Sequence, residues 1–196
     1  MFILCVKPAS SQADRALAAV QDNLFAQTAS PAFLALPPHA VVDVSAGSPH
    51  VHLLDAIPRI DAGAGEPESD SPAVGRIVAD GRKLYYLPHP RNRLPTLWNL
   101  LAGAIDAEAG VKRTLTAQKF GAPRPALYLG ELLADADVDA VHPDESLLEA
   151  VGAIRSYAIA VIQVESGKDE RWWEQVRWTM VYERELGHRE RRSERR

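Results

Sequence analysis

A chain of 196 residues that is 46% hydrophobic and 24% charged has room for one domain with a sizeable core. Its net charge of −4 gives the molecule as a whole no electrostatic bias toward nucleic acid or an anionic membrane. A single cysteine, Cys5, excludes an internal disulfide and a cysteine-built zinc site, and no run approaches the roughly 20 apolar residues of a membrane helix.

Residues 2–6 predict a short buried strand, with Cys5 as a small core hydrophobe. The apolar run stops at Lys7-Pro8 and has no basic segment before it, so it does not read as a signal peptide. Ser11-Gln-Ala-Asp14 has the form of a capping box, with Asp in place of Glu or Gln. It opens a helix to about Gln27 whose stripe is Ala13, Ala16, Leu17, Val20 and Leu24. Pro31, Pro37 and Pro38 interrupt the segment after this helix. Val41–Val44 and His50–Leu54 are strand candidates on either side of a turn-like segment.

Residues 61–73 contain no large apolar side chain and read as a flexible loop. Val74–Val78 and Lys83–Leu87 flank Asp80-Gly81, a tight-hairpin signal. A helix is expected from about Thr96 to Ala109, with Leu97, Leu100, Leu101, Ala104 and Ile105 on one face and Gly110 as its stop. Residues 111–120 read as a strand or an extended arm. Beyond Ala126–Leu129 an acidic stretch leads to Pro143-Asp-Glu-Ser146, where Asp144 suits the start of a short helix carrying Leu147, Leu148, Val151 and Ile154.

The clearest signal is the closing hairpin, with strands over 156–165 and 172–183. In the second strand Val176, Trp178, Met180 and Tyr182 share one face, expected to be core. Gln175, Arg177, Thr179 and Glu183 share the other, with Trp173 beside Arg177. The fold class that results is α+β: one domain over 1–196, mainly antiparallel sheet, two or three helices and a long C-terminal β-hairpin. A flexible loop at 61–73 and a charged tail at 184–196 complete it.

Chemistry is thinly signalled. His50-Val-His52 with Asp55 nearby is the best metal-like constellation, because i and i+2 imidazoles share a face of a strand. His39 and His89 are the other third-ligand candidates. A bare pair of histidines with no fixed third ligand is more often an ordinary strand feature. Asp135-Ala-Asp-Val-Asp139 begins like a calcium loop, but Ala140 and Ser146 stand where that loop needs Gly and Glu. No glycine-rich phosphate cradle and no G-x-S-x-G elbow is present. No cofactor is implied, and the expectation is a non-enzyme.

The elements that remain are a helix near the start (10–27), a central sheet and an aromatic closing hairpin (about 150–183). In that order they resemble small neck or tail-terminator proteins of tailed bacteriophages. The resemblance covers about a quarter of the chain and rests on element order. The N-terminal strand, the Pro-rich middle and the acidic 131–149 segment depart from it. It implies a ring-forming, non-enzymatic head–tail joining component made in the cytoplasm of a bacterial host and incorporated into a virion. Its partners would be copies of itself and other structural proteins, not membrane or nucleic acid. Trp173, Gln175, Arg177 and Thr179 are the candidate contact residues, with Arg189, Arg191 and Arg192 of the tail. The alternatives are a metal-dependent enzyme built on His50, His52 and Asp55, and a monomeric adaptor or immunity-type binding protein using the same hairpin.

Overall fold

The structure, a computed structural model, describes residues 1–45, 74–107, 125–134, 136–167 and 171–186. Strand β1 (Phe2–Pro8) leads into helix α1 (Ser11–Thr28), the single-turn helix α2 (Ala32–Ala35) and β2 (Ala40–Ser45). Then come β3 (Arg76–Asp80), β4 (Lys83–Leu87), α3 (Arg93–Ala107) and β5 (Leu127–Glu131). A 3-10 turn (Val138–Ala140), α4 (Glu145–Gly152), β6 (Tyr157–Glu165), a second 3-10 turn (Trp172–Glu174) and β7 (Arg177–Leu186) complete the chain. The α+β class with a mainly antiparallel sheet and a C-terminal hairpin is as expected.

Hydrogen bonding groups the strands as β2-β1-β6-β7 and β3-β4-β5, with every pair antiparallel. The two groups are joined. An antiparallel bridge links His39, just before β2, to Tyr128 of β5, where the Tyr128 N–H donates to the His39 carbonyl at 2.8 Å. Among the described residues the continuous order is therefore β3-β4-β5-β2-β1-β6-β7, with β3 and β7 at the margins.

All three longer helices cover one face of this sheet. Leu17, Val20 and Leu24 of α1, Leu97, Leu101 and Ile105 of α3, and Leu148 and Val151 of α4 meet Leu4, Val6, Tyr86, Leu129 and Ile159. A smaller cluster on the opposite face gathers Ile3, Cys5, Tyr85, Tyr128, Ile162 and Val164, with Trp172, Val176 and Met180 packed against it. The alternation of Leu84, Tyr85 and Tyr86 between the two clusters is the period of two of a strand buried on both faces.

Local chemistry accounts for the boundaries. The cap of α1 is Ser10, one residue before the expected box, and its Oγ accepts from the Ala13 N–H at 3.1 Å. Helix α3 begins at Arg93, three residues earlier than expected, because the Asn92 side chain accepts from the Leu94 N–H at 2.8 Å. Pro95 is tolerated there, within the first turn, where helical N–H groups have no intrahelical partner. Asp144 caps α4 as expected, accepting from the Ser146 N–H at 2.8 Å. Its carboxyl is held below its ordinary range by those Ser146 hydrogen bonds. The β3–β4 hairpin turns on Gly81, at φ +59, the first of two loop residues.

Gly130 is required by packing: at φ +155 it lies where a Cβ would come 2.3 Å from Cδ1 of Phe33. The buried Gln21 amide donates to the carbonyls of Leu36 (3.1 Å) and Leu129 (2.8 Å), tying α1 to the sheet. His50–Leu54, 61–73, Gly110 and 111–120 lie outside the described residues.

Candidate functional site

The closing hairpin is present but differs from its expected form in three ways. The first concerns where its second strand lies. Residues 172–176 are not strand: Trp172–Glu174 form a 3-10 turn, and pairing with β6 begins at Arg177 opposite Glu165. It then runs to Leu186 opposite Tyr157, so 184–186 belong to the sheet and not to the charged tail. Leu186 is buried, which is what carries the strand that far.

The second difference is a bulge. Tyr182 stands opposite Val161 while Met180 stands opposite Ile162, leaving Val181 as the extra residue. An inserted residue reverses the facing of every side chain beyond it. Met180 therefore packs on the smaller cluster with Ile162, whereas Tyr182 packs on the helix side with Val161. The single core face expected for Val176, Trp178, Met180 and Tyr182 is split between two faces.

The third difference is exposure. Trp178, expected in the core, is 43% exposed, and Val181 is 47% exposed. Both sit on a strand whose outer edge pairs with no other strand among the described residues. Beyond the bulge, Glu183, Arg184 and Glu185 are exposed on both faces, as suits a marginal strand. Lys7 of β1 reaches Glu183 at 2.6 Å across β6, with the ammonium nearly buried. Cys5 lies close by, and burial pushes its thiol up to about 12 against the pull of Lys7. That places it among inert core thiols.

The connection between β6 and β7 is anchored. The indole N–H of Trp172 donates to Glu131 at 3.4 Å, and Glu131 also pairs with Arg82 at 3.1 Å. Trp173, half-buried, meets Trp172 edge to face with ring centroids 6.0 Å apart. Gln175 is exposed and lies against Gly167, where a Cβ would come 2.6 Å from its Oε1. Arg177 and Thr179 are exposed on β7 itself, opposite Glu165 and Gln163. The four hairpin residues expected to share one strand face thus divide into two in the connection and two on the strand. Arg189, Arg191 and Arg192 lie outside the described residues.

The metal candidates His50, His52 and Asp55 also lie outside the described residues. Among the described residues no group of three or more His, Cys, Asp or Glu side chains could hold an ion. Of the proposed third ligands, His39 is buried with Nδ1 2.6 Å from the Pro37 carbonyl, so this nitrogen carries the proton and donates. Burial lowers its pKa and keeps the ring neutral. His89 accepts from the Arg91 N–H at 3.2 Å through Nδ1. No helix among the described residues is long and apolar enough to cross a membrane.

The exposed apolar side chains missed in the sequence are Trp178 and Val181. One signal was available: the mixed Glu183-Arg184-Glu185 run offers no apolar face and marks a sheet margin. No family model matches the chain, and no curated protein or solved structure matches it either.

Proposed function

We propose that this chain is a non-enzymatic assembly protein acting through subunit–subunit contacts, as a tail terminator or connector in the neck or tail of a tailed bacteriophage. One observation carries the assembly part of this reading. Strand β7, ten residues long, lies at the sheet margin with Trp178 and Val181 turned to solvent. A marginal strand offers a row of main-chain donors and acceptors to a neighbouring strand, and an exposed Trp on it adds a contact anchor. The anchored connection holds Trp172 and Trp173 in place beside it, so little ordering would be lost on contact. The virion part is supported by the order of elements, a helix near the start and an aromatic closing hairpin.

Mass photometry across micromolar concentrations tests the reading, with Arg177→Glu as the disrupting variant. Wild-type protein forms a discrete oligomer, and the variant shifts toward monomer while it stays folded, with a single cooperative unfolding transition. In the monomer the reversal sets two carboxylates opposite at positions 165 and 177, which costs about 0.2–1 kcal/mol. A strict monomer for wild type, or an unaltered assembly state in Arg177→Glu, counts against the reading. Capsid or tail genes beside its own would support the virion assignment, and their absence would count against it.

A further inference from the structure

We propose that the two margins of the sheet are halves of one contact: β7 of one copy pairs in parallel with β3 of the next, and the repeated contact closes a ring. This deepens the assembly reading and rests on it. The first support is direction. Six antiparallel steps separate β3 from β7 in the order β3-β4-β5-β2-β1-β6-β7, so both margins run the same way. A cyclic axis along the strands preserves their direction and keeps every copy's helices on one side. Under that operation β7 meets the next copy's β3 in parallel, with like faces continuous. A two-fold axis normal to the sheet would instead set β7 antiparallel to its own copy.

The second support is where apolar surface is exposed. Five large apolar side chains are exposed among the described residues: Phe25, Leu34, Val74, Trp178 and Val181. Three of the five stand at the margins, with Val74 two residues before β3 and the other two on β7. Exposed apolar groups at both edges of one sheet suit a contact that uses both.

The third support is chemical complementarity. Aligning Arg76 with Trp178 places Ile77 beside Thr179 and Val78 beside Met180. Val78 and Met180 pack on the smaller-cluster side within their own copies, and Ile77 packs on the helix side. Faces therefore match along the register, an apolar pair forms, and the exposed Arg76 guanidinium lies against the Trp178 indole. Self-pairing of β7 is less well matched. A two-fold through Val181 would align Arg177 with Glu185 of the other copy, but the bulge turns these side chains to opposite faces. A two-fold at 183 or 184 opposes Glu183 to Glu183, or Arg184 to Arg184.

Single cysteines at two margin positions aligned in this register test this, with the native Cys5 buried and silent. Ile77→Cys and Thr179→Cys proteins, mixed and oxidised, yield a disulfide-linked pair containing one of each, and neither yields a pair alone. Arg76→Ala weakens association roughly fivefold, the scale of one exposed cation–π contact. If Thr179→Cys alone dimerises, β7 pairs with itself and the proposal is overturned while assembly stands. If wild type associates and the mixture does not cross-link, the contact lies elsewhere and the proposal is again overturned. A wild-type protein that never associates removes both readings.

Discussion

Asn92 joins three elements through one side chain, and its replacement is the sharpest test of the interior. Its Oδ1 accepts from the Leu94 N–H at 2.8 Å and from the Tyr157 hydroxyl at 2.7 Å, while its Nδ2 donates to the Ile154 carbonyl at 3.3 Å. Burial raises the Tyr157 phenol above its ordinary range, so that hydroxyl remains a donor. Asn92→Ala removes the cap of α3, worth about 1 kcal/mol. It also leaves the Tyr157 hydroxyl, on a residue 2% exposed, without its acceptor, at about 1–3 kcal/mol. The expected loss is therefore roughly 2–4 kcal/mol. Tyr157→Phe alone should cost only about 1 kcal/mol, because it removes the donor along with the bond. The double variant should be less destabilised than the sum of the singles by about 1–2 kcal/mol, since the orphaned hydroxyl is gone. Equilibrium urea unfolding of all four proteins reads these differences as midpoint shifts at constant slope. Additivity within about 0.5 kcal/mol would refute the reasoning.

Gly130→Ala should destabilise by about 3 kcal/mol or more, since it combines a backbone at φ +155 with a Cβ driven into Phe33; an unchanged melting temperature would count against the close approach. His39 should make stability depend on pH. Its folded pKa lies below the ordinary 6.5 of the unfolded chain, so the unfolded state takes up the proton first. Stability is then fully present above about pH 6.5 and falls as pH drops from there toward the folded pKa, by up to about 1.4 kcal/mol per pH unit. Urea midpoints should show that slope in wild type and lose it in His39→Gln; an equal slope in both would reject it. Cys5 should resist alkylation by iodoacetamide in the folded protein and react on unfolding, because its thiol is buried and raised to about 12; rapid labelling of native protein would show that the smaller cluster opens.

Much of the local structure was legible because it depends on near neighbours. The stripe of α1, the Asp80-Gly81 turn, the Asp144 cap and the buried β6 run are patterns within a few residues. The extra residue at Val181 was not: the apolar run Met180-Val181-Tyr182 interrupts the alternation, but an apolar residue on the outer face does not by itself show a bulge. A bulge is defined by the partner strand, and the misfit appears only when β6 is laid against β7. Trp178 was misplaced for a different reason. Alternation tells which residues share a face, but it does not tell whether that face is covered.

The sequence by itself determined the class of object: an α+β domain, mainly antiparallel, closed by a hairpin, with one inert thiol. Hydrophobic period, caps and turns are local physics, and they suffice for that. Only the tertiary structure decided that His39 joins two strand groups into one sheet, that β3 and β7 are its margins among the described residues, and that Trp178 and Val181 are exposed there. Those facts depend on which distant segments pair and which faces the helices cover, and strand order is a property of contacts between residues far apart in the chain.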